Sequence, residues 1–305
     1  MPEYWPKGSS VGFVVARGST GFAPDDVPAA EALRARGLTV APADWSDPAV
    51  RWEAFDALIL RSCHDYVLDP GAFELWLDHV GRGGVQLWNP PSPVRETLDK
   101  KYLLQLAAGG VTILPTLRID PATPVDLPEV LDRSGWGEAV IKPAVSASAR
   151  ATFRVSRRLA PAFQPQLDHL LASGPVLIQA FAPEITAHGE WSIVFFDRLY
   201  SHAVLKRPSV GDFRVQTRYG GDARAASAPP DVVGQAADVL DRITGPLLYA
   251  RVDGVIANGR FVLCELELIE PCLYFRLTPG AADTFANALV GLVGRLPPSS
   301  PSEPR

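Results

Sequence analysis

Four charged residues are spaced for chemistry near the end of the chain. Arg251 and Asp253 stand two apart in Leu248-Tyr249-Ala250-Arg251-Val252-Asp253-Gly254-Val255-Ile256, and Glu265 and Glu267 stand two apart in Arg260-Phe261-Val262-Leu263-Cys264-Glu265-Leu266-Glu267. Both segments are rich in Val, Ile, Leu, Tyr and Phe, and the Asn258-Gly259 pair between them is a tight-turn dipeptide. The pattern predicts a β-hairpin. Side chains alternate faces along a strand, so Arg251 and Asp253 share a face, as do Glu265 and Glu267. A strand that places charge at those positions does not bury that face in a plain apolar core. Three carboxylates converging from two strands, Asp253, Glu265 and Glu267, suit a hard divalent cation. The alternative is a solvated sheet face with an Arg–carboxylate pair.

Further cations gather upstream. Lys142 ends the apolar strand Ala139-Val140-Ile141-Lys142-Pro143, and a semi-buried lysine needs a partner such as a nucleotide phosphate. The small-residue run from Ala144 to Thr152, with Ser146 and Ser148, can lay backbone N–H groups over phosphates; otherwise it is a flexible hairpin loop. The segment from Lys206 to Gly221 holds Lys206, Arg207, Arg214 and Arg218 with few aliphatic residues, as expected of a loop ordered by an anion.

The elements that must position these groups begin with an α/β region. Strands at Val11–Ala16, Leu38–Ala41, Ala57–Arg61 and Val85–Trp88 alternate with helices at Ala29–Arg36 and around Phe73–Val80. That alternation implies a parallel sheet with ligands beyond the carboxyl ends of its strands, near Arg61, Ser62, His64, Asp65 and Asn89. Each of these residues is alternatively a loop residue or a helix cap. The loop Arg17–Gly21 lacks the spacing of a phosphate-binding fingerprint. Thr97–Ala108 reads as one helix, Val111–Ile119 as a strand broken at Pro115, and Ala281–Val293 as a closing helix. Glu190–Phe196 and Leu199–Leu205 read as a second hairpin, turning at Asp197-Arg198.

Composition narrows the function classes. The 305 residues allow two or three modest domains, and the net charge of −5 argues against a dedicated nucleic-acid binder. No run approaches a membrane span, and the N-terminus lacks the pattern of a secretory leader, so a cytoplasmic protein is expected. Cys63, Cys264 and Cys272 lack metal-ligand spacing. No Ser–His–Asp or Cys–His arrangement is evident.

Taken in order, the motifs from about Asn89 to Pro271 resemble the ATP-grasp superfamily. The resemblance implies an α/β and α+β architecture: an ATP-grasp fold behind an N-terminal parallel-sheet (pre-ATP-grasp) domain. It places that substrate-side domain at 1–111, a small subdomain with the phosphate-covering loop at 112–181, a metal-bearing subdomain at 182–296 and a disordered tail at 297–305. Arg251-x-Asp253 with Glu265-x-Glu267 is similar to the catalytic and magnesium signature of the glutathione synthetase and D-alanine ligase branch. There the last ligand is usually Asn; here it is Glu267.

The same resemblance implies individual roles. Lys100, with Lys101 as the alternative, and Lys142 are the ATP lysines. Ser146 and Ser148 belong to the covering loop, in which alanines replace the family's glycines. Gln179, Ala180 and Phe181 contact adenine. Glu190 holds the ribose, with Glu184 the alternative. Arg251 and Arg214 offset charge in phosphoryl transfer; Arg61, Ser62, His64, Lys206, Gln216 and Glu270 bind substrate. Asp253, Glu265 and Glu267 hold one or two Mg²⁺ ions, with Mn²⁺ as a substitute.

Several phrases, among them Arg61-Ser62-Cys63-His64-Asp65-Tyr66, Gly211-Asp212-Phe213-Arg214 and Glu265-Leu266-Glu267-Leu268-Ile269-Glu270-Pro271, resemble a bacterial subgroup of small amino-acid ligases. That subgroup includes the cyclo-ligase of cycloserine biosynthesis. Its members more often carry Thr-Trp where this chain has Cys63-His64. The implied activity is ATP-dependent activation of a carboxylate as an acylphosphate, followed by capture by an amine, in peptide formation or ring closure. The alternatives are a degenerate ATP-binding regulatory module and a kinase that stops at phosphorylation. The implied partner is a small amino-acid-like molecule, with no nucleic acid and no membrane; a homodimer is left open.

Overall fold

Three sheets organise residues 8–293, the part of the chain that the computed structural model describes. The tail expected at 297–305 lies outside the described residues. Strands β1 (Ser10–Val15), β2 (Thr39–Asp44), β3 (Ala57–Ser62) and β4 (Gln86–Trp88) form a parallel sheet in the order β2-β1-β3-β4. Parallel neighbours need long crossovers. Helix α1 (Val27–Ala35) joins β1 to β2, and α2 (Pro70–Arg82) lies between β3 and β4. The near-continuous burial of β1 and β3 reflects cover on both faces.

The helix expected at 97–108 is instead broken. Helix α3 (Pro91–Leu98) ends where Asp99 turns extended, and α4 (Tyr102–Ala108) starts afresh. A competing bond explains the break: the Lys100 amide donates to Ala144 O at 2.9 Å, while Asp99 Oδ1 accepts from the Lys101 amide at 2.8 Å. The break turns Lys100 inward and leaves Lys101 exposed.

The second sheet contains β5 (Thr116–Ile119), β6 (Glu138–Pro143), β7 (Phe153–Ser156) and β8 (Val176–Ala180), antiparallel in the order β5-β8-β6-β7. Helices α5 (Leu127–Ser134) and α6 (Ala160–Ser173) bury Leu127, Leu131, Leu167 and Leu171 against Ala139, Ile141, Val155 and Ile178. The strand period therefore presents Val140 and Lys142 on the opposite face, where both line a cavity.

The third sheet is antiparallel, in the order β11-β10-β9-β12-β13. Its strands are β9 (Glu190–Phe196), β10 (Leu199–Arg207), β11 (Asp222–Ala225), β12 (Tyr249–Ala257) and β13 (Arg260–Glu267). The short α7 (Glu184–Ala187) precedes it, α8 (Pro230–Leu240) packs on β12 and β13, and α9 (Ala281–Val293) packs on α1, β9 and β10. Strand β11 has no counterpart in the sequence reading. Asn258 and Gly259 both take positive φ, 51° and 74°, as the twist of a two-residue hairpin turn requires. A bulge falls between Asp253 and Gly254, and a Cβ on Gly254 would sit 2.4 Å from the Phe261 ring.

One core joins the first and third sheets: Phe13, Ala29 and Leu33 pack with Phe196, Tyr249 and Phe285. Helix α4, grouped with the N-terminal domain by sequence, buries Tyr102, Leu103 and Leu106 in the core of the third sheet. Among the described residues no helix is long and apolar enough to cross a membrane.

Asn89 ties the sheets together and is not a site residue. It is 0% exposed; its Nδ2 donates to Tyr249 O at 2.9 Å and Leu268 O at 2.8 Å, and its Oδ1 accepts from the Leu248 amide at 2.8 Å. Replacing Asn89 with Leu strands those backbone groups without water. Stability is expected to fall by at least about 3 kcal/mol, read as a lower urea midpoint at unchanged slope.

Candidate active site

A cavity of about 740 Å³ lies between the second and third sheets. From the second sheet come Val140, Lys142, Gln179 and Ala180, with Ser146, Ser148 and Ala149 of the connecting loop and Phe181 beyond it. The third sheet contributes Glu190, Lys206, Arg251, Glu265 and Glu267, and its long loop adds Phe213, Arg214 and Gln216. The wall continues through Tyr66, Glu270, Cys272 and Tyr274.

The bulge between Asp253 and Gly254 shifts the hairpin register by one residue from the one the turn starts. Arg251 pairs with Glu267 and Asp253 with Glu265 across the two strands. Tyr102 pins the outer edge of β13 from α4: its hydroxyl donates to Leu266 O at 3.1 Å and accepts from the Leu266 amide at 2.9 Å. That bond sits between the two glutamates and fixes their placement.

Ion pairs fill the floor of the cavity. Arg251 Nε and Nη2 donate to Asp253 at 3.0 Å, Nη2 also pairs with Glu267, and Nη1 donates to Cys272 O at 3.0 Å. Asp253 also accepts from Ser192 Oγ at 2.7 Å and Lys206 Nζ at 2.9 Å. Lys206 lies 3.5 Å from Glu190. Lys100 lies 3.1 Å from Glu265 and also donates to Ser146 O. Asp253 is 2% exposed and lies outside the cavity lining, and among the described residues no three acidic, His or Cys side chains are grouped to hold a metal. A cationic side chain holds each of the carboxylates of Asp253, Glu265 and Glu267.

Several expected site residues stand elsewhere. Arg61 is 2% exposed and outside the lining, and its Nη2 reaches Asp26 Oδ1 at 2.6 Å and Pro271 O at 3.1 Å. The structural ion pair, not a substrate contact, describes it here. Ser62 and His64 also lie outside the lining; His64 is exposed, with Nδ1 3.1 Å from Ser62 O. Glu184 is outside too, whereas Glu190 lines the cavity. Tyr66 and Tyr274 line it and went unnoticed in the sequence. Tyr66 closes the Arg61–Tyr66 phrase and Tyr274 follows Glu270 by four residues, so their proximity to site motifs was the available signal. Arg214 is chelated by Asp212, with Nη2 at 2.7 Å, and lies 3.6 Å over the Tyr219 ring.

The local fields follow from this packing. Burial opposes ionisation of Asp253, but Arg251 and Lys206 outweigh it and hold its carboxyl at about 2. Burial pushes Glu267 up to about 7, aided by Glu265 and Asp253 and opposed by Arg251. Burial likewise raises Glu190 and Glu270, and it lowers Lys142.

The signs of these shifts give opposite pH dependences. The depressed acid Asp253 contributes stability that is present above about pH 4 and lost as pH falls toward 2. The raised acids favour the folded state when protonated, and that contribution disappears as pH rises through about 7 for Glu267. The ligand-free protein is therefore expected to melt at a higher temperature at about pH 5 than at about pH 8. Thermal scans across pH check it; a rising melting temperature over that interval would contradict it.

A family model described as the N-terminal domain of D-cycloserine synthetase DcsG matches residues 11–89. The cycloserine biosynthesis protein DcsG of Streptomyces lavendulae is 33% identical over 282 residues, covering 87% of this chain and 92% of that protein. The chain belongs to the DcsG family of ATP-grasp ligases. The crystal structure of D-cycloserine synthetase DcsG superposes with a TM-score of 0.84 at 30% identity, covering 93% of this chain and 100% of that one. The D-alanine–D-alanine ligase of Bacillus anthracis shares the fold, with a TM-score of 0.67 at 14% identity over 94% of this chain and 97% of that one.

This DcsG-family chain is thus an ATP-dependent, ADP-forming ligase that joins a carboxylate to an amine. ATP-grasp ligases use ATP and Mg²⁺. The donor set fits a divalent ion: Glu265 and Glu267 are hard oxygen donors on the cavity wall.

Proposed function

We propose that this ligase activates the carboxylate of a small amino-acid-derived substrate as an acylphosphate and closes it onto an amine of the same molecule. The observation that carries the reading is the charge layout of one cavity, in which Lys100, Lys142 and Lys206 meet an acidic floor and Glu270 stands beside Tyr66 and Tyr274. The resemblance to D-cycloserine synthetase supports ring closure in particular.

In this reading Lys100, Lys142, Ser146 and Ser148 bind the ATP phosphates. Gln179, Ala180 and Phe181 hold the adenine, and Glu190 holds the ribose hydroxyls. Glu265 and Glu267, with Asp253, hold one or two Mg²⁺ ions, which when bound supply electrostatic stabilisation of phosphoryl oxygens. Arg251 and Arg214 offset charge on the transferring group; Arg214 must first leave Asp212. Glu270, on the cavity wall, receives the substrate ammonium. Lys206 and Gln216 orient the substrate. The 1–111 region serves the substrate side, 112–181 the covering loop and 182–296 the metal. The setting is the cytoplasm.

The test is ADP release over amino acids and their derivatives, singly and in pairs, with mass spectrometry of products. A cyclic product from one substrate is expected. A dipeptide from a pair would overturn ring closure and leave ligation standing, and a released phospho-compound would overturn the amine-capture step.

A further inference from the structure

We infer that Thr116 is a positioning residue for the nucleobase: it fixes the amide of Gln179 so that an acceptor is left for the ligand, which selects a base carrying an exocyclic amine over one carrying a carbonyl. The inference rests on the proposed adenine contact at Gln179 and adds how that contact discriminates. Thr116 on β5 stands directly opposite Gln179 on β8, and Gln179 stands opposite Val140 on β6. Residues paired across a sheet share a face, so all three side chains lie on the cavity side. Gln179 is 3% exposed and lines the cavity, whereas Thr116 lies outside the lining. Thr116 therefore acts only through Gln179. The backbone holds the pair in register, since the Ala180 amide donates to Pro115 O at 2.8 Å.

The polarity of the hydrogen bonds decides which end of the amide is left over. The Thr116 hydroxyl has one hydrogen, and Oγ1 donates it to Leu114 O at 2.7 Å. A carbonyl only accepts, so that bond cannot reverse. Oγ1 must then accept from its other neighbour, and Gln179 Nε2 donates to it at 3.0 Å. Gln179 Oε1 is left without a donor among the described residues, on a side chain that lines the cavity. The start of the relay is anchored on the third sheet: the Leu114 amide donates to Leu263 O at 3.2 Å, and the Leu263 amide donates to Thr112 O at 2.9 Å. A nearly buried acceptor gains when a ligand brings an N–H group and loses when it brings a second acceptor. Adenine carries an amine where hypoxanthine carries a carbonyl. Without the Thr116 hydroxyl the amide is free to turn over, and Nε2 then serves the carbonyl base instead.

ADP and inosine diphosphate, each with Mg²⁺, are the probes, titrated by calorimetry into the full chain. The wild type is expected to favour ADP by at least about tenfold. Thr116→Val keeps the shape but removes the hydroxyl, and it is expected to erase most of that preference by weakening ADP and tightening inosine diphosphate. Thr116→Ser keeps the hydroxyl and is expected to keep the wild-type ratio. A general loss of packing would weaken both nucleotides alike and leave the ratio unchanged. Adding Thr116→Val to Gln179→Met is expected to change nothing further, which assigns the effect to the amide. A melting scan accompanies each variant, and Thr116→Ala replaces Thr116→Val should the latter not fold. A wild-type ratio in the folded Thr116→Val or Thr116→Ala protein overturns the inference. So does equal binding of the two nucleotides by the wild type, or a Thr116→Ser protein that behaves as Thr116→Val does. Each of these results leaves the adenine contact standing if Gln179→Met weakens ADP. Undiminished ADP binding by Gln179→Met would overturn the adenine contact instead.

Discussion

Glu265→Gln is expected to lower kcat for ADP release by about a thousandfold, roughly 4 kcal/mol of transition-state stabilisation, in a protein that still folds. The side chain points into the cavity wall from β13, opposite Asp253 in the hairpin register. Burial opposes its ionisation, but Lys100 and Lys142 outweigh burial and hold its carboxyl below the usual range. It therefore carries a negative charge at neutral pH. Glutamine keeps the size and one oxygen but removes the charge that a hard cation seeks. The substitution spares the backbone bonds that Tyr102 makes at Leu266, and the Glu265 side chain is 30% exposed, so folding should be nearly unaffected. Steady-state ADP release, paired with a thermal melt, separates the two effects. Activity within tenfold of wild type at an unchanged melting temperature would remove Glu265 from the metal ligands.

The contrast between what the sequence exposed and what it hid has physical causes. The β12–β13 hairpin was legible because alternation and the Asn-Gly turn are local; the bulge that sets Asp253 opposite Glu265 was not. Lys142 was legible because a lysine ending an apolar strand violates the burial rule. The break at Asp99 was not, since residues 97–108 all suit a helix and the deciding bond comes from Ala144, more than forty residues away. Arg61 misled for a similar reason. It stands at a strand end, but its partner Asp26, just before α1, is 35 residues away in sequence. The saturation of Asp253 was equally hidden: Ser192 and Lys206 come from β9 and β10, and only the sheet order brings them under β12. Strand β11 has four residues and little apolar alternation, so pairing with β10 alone makes it a strand.

Arg251→Lys is expected to reduce kcat at least about a hundredfold and to lower stability by about 2 kcal/mol, although the charge is conserved. The guanidinium does three jobs at once. Its Nε and Nη2 grip Asp253 at 3.0 Å, Nη2 also reaches Glu267, and Nη1 holds Cys272 O at 3.0 Å. It also lies 5.6 Å over the Tyr274 ring. A lysine ammonium is a point charge that satisfies one of these partners at a time. The others would remain buried without their hydrogen bonds, which is the source of the stability loss. The catalytic loss has a separate origin, because a planar fork held at both ends cannot be reproduced by a flexible amine at the transferring phosphoryl group. The two losses are measured independently, by denaturant unfolding of the ligand-free protein and by ADP release under saturating ATP. Arg251→Met provides the reference, since it removes the charge entirely and should be worse on both axes. Retention of activity within threefold by Arg251→Lys would mean that charge alone, not the fork, is what the site uses at position 251.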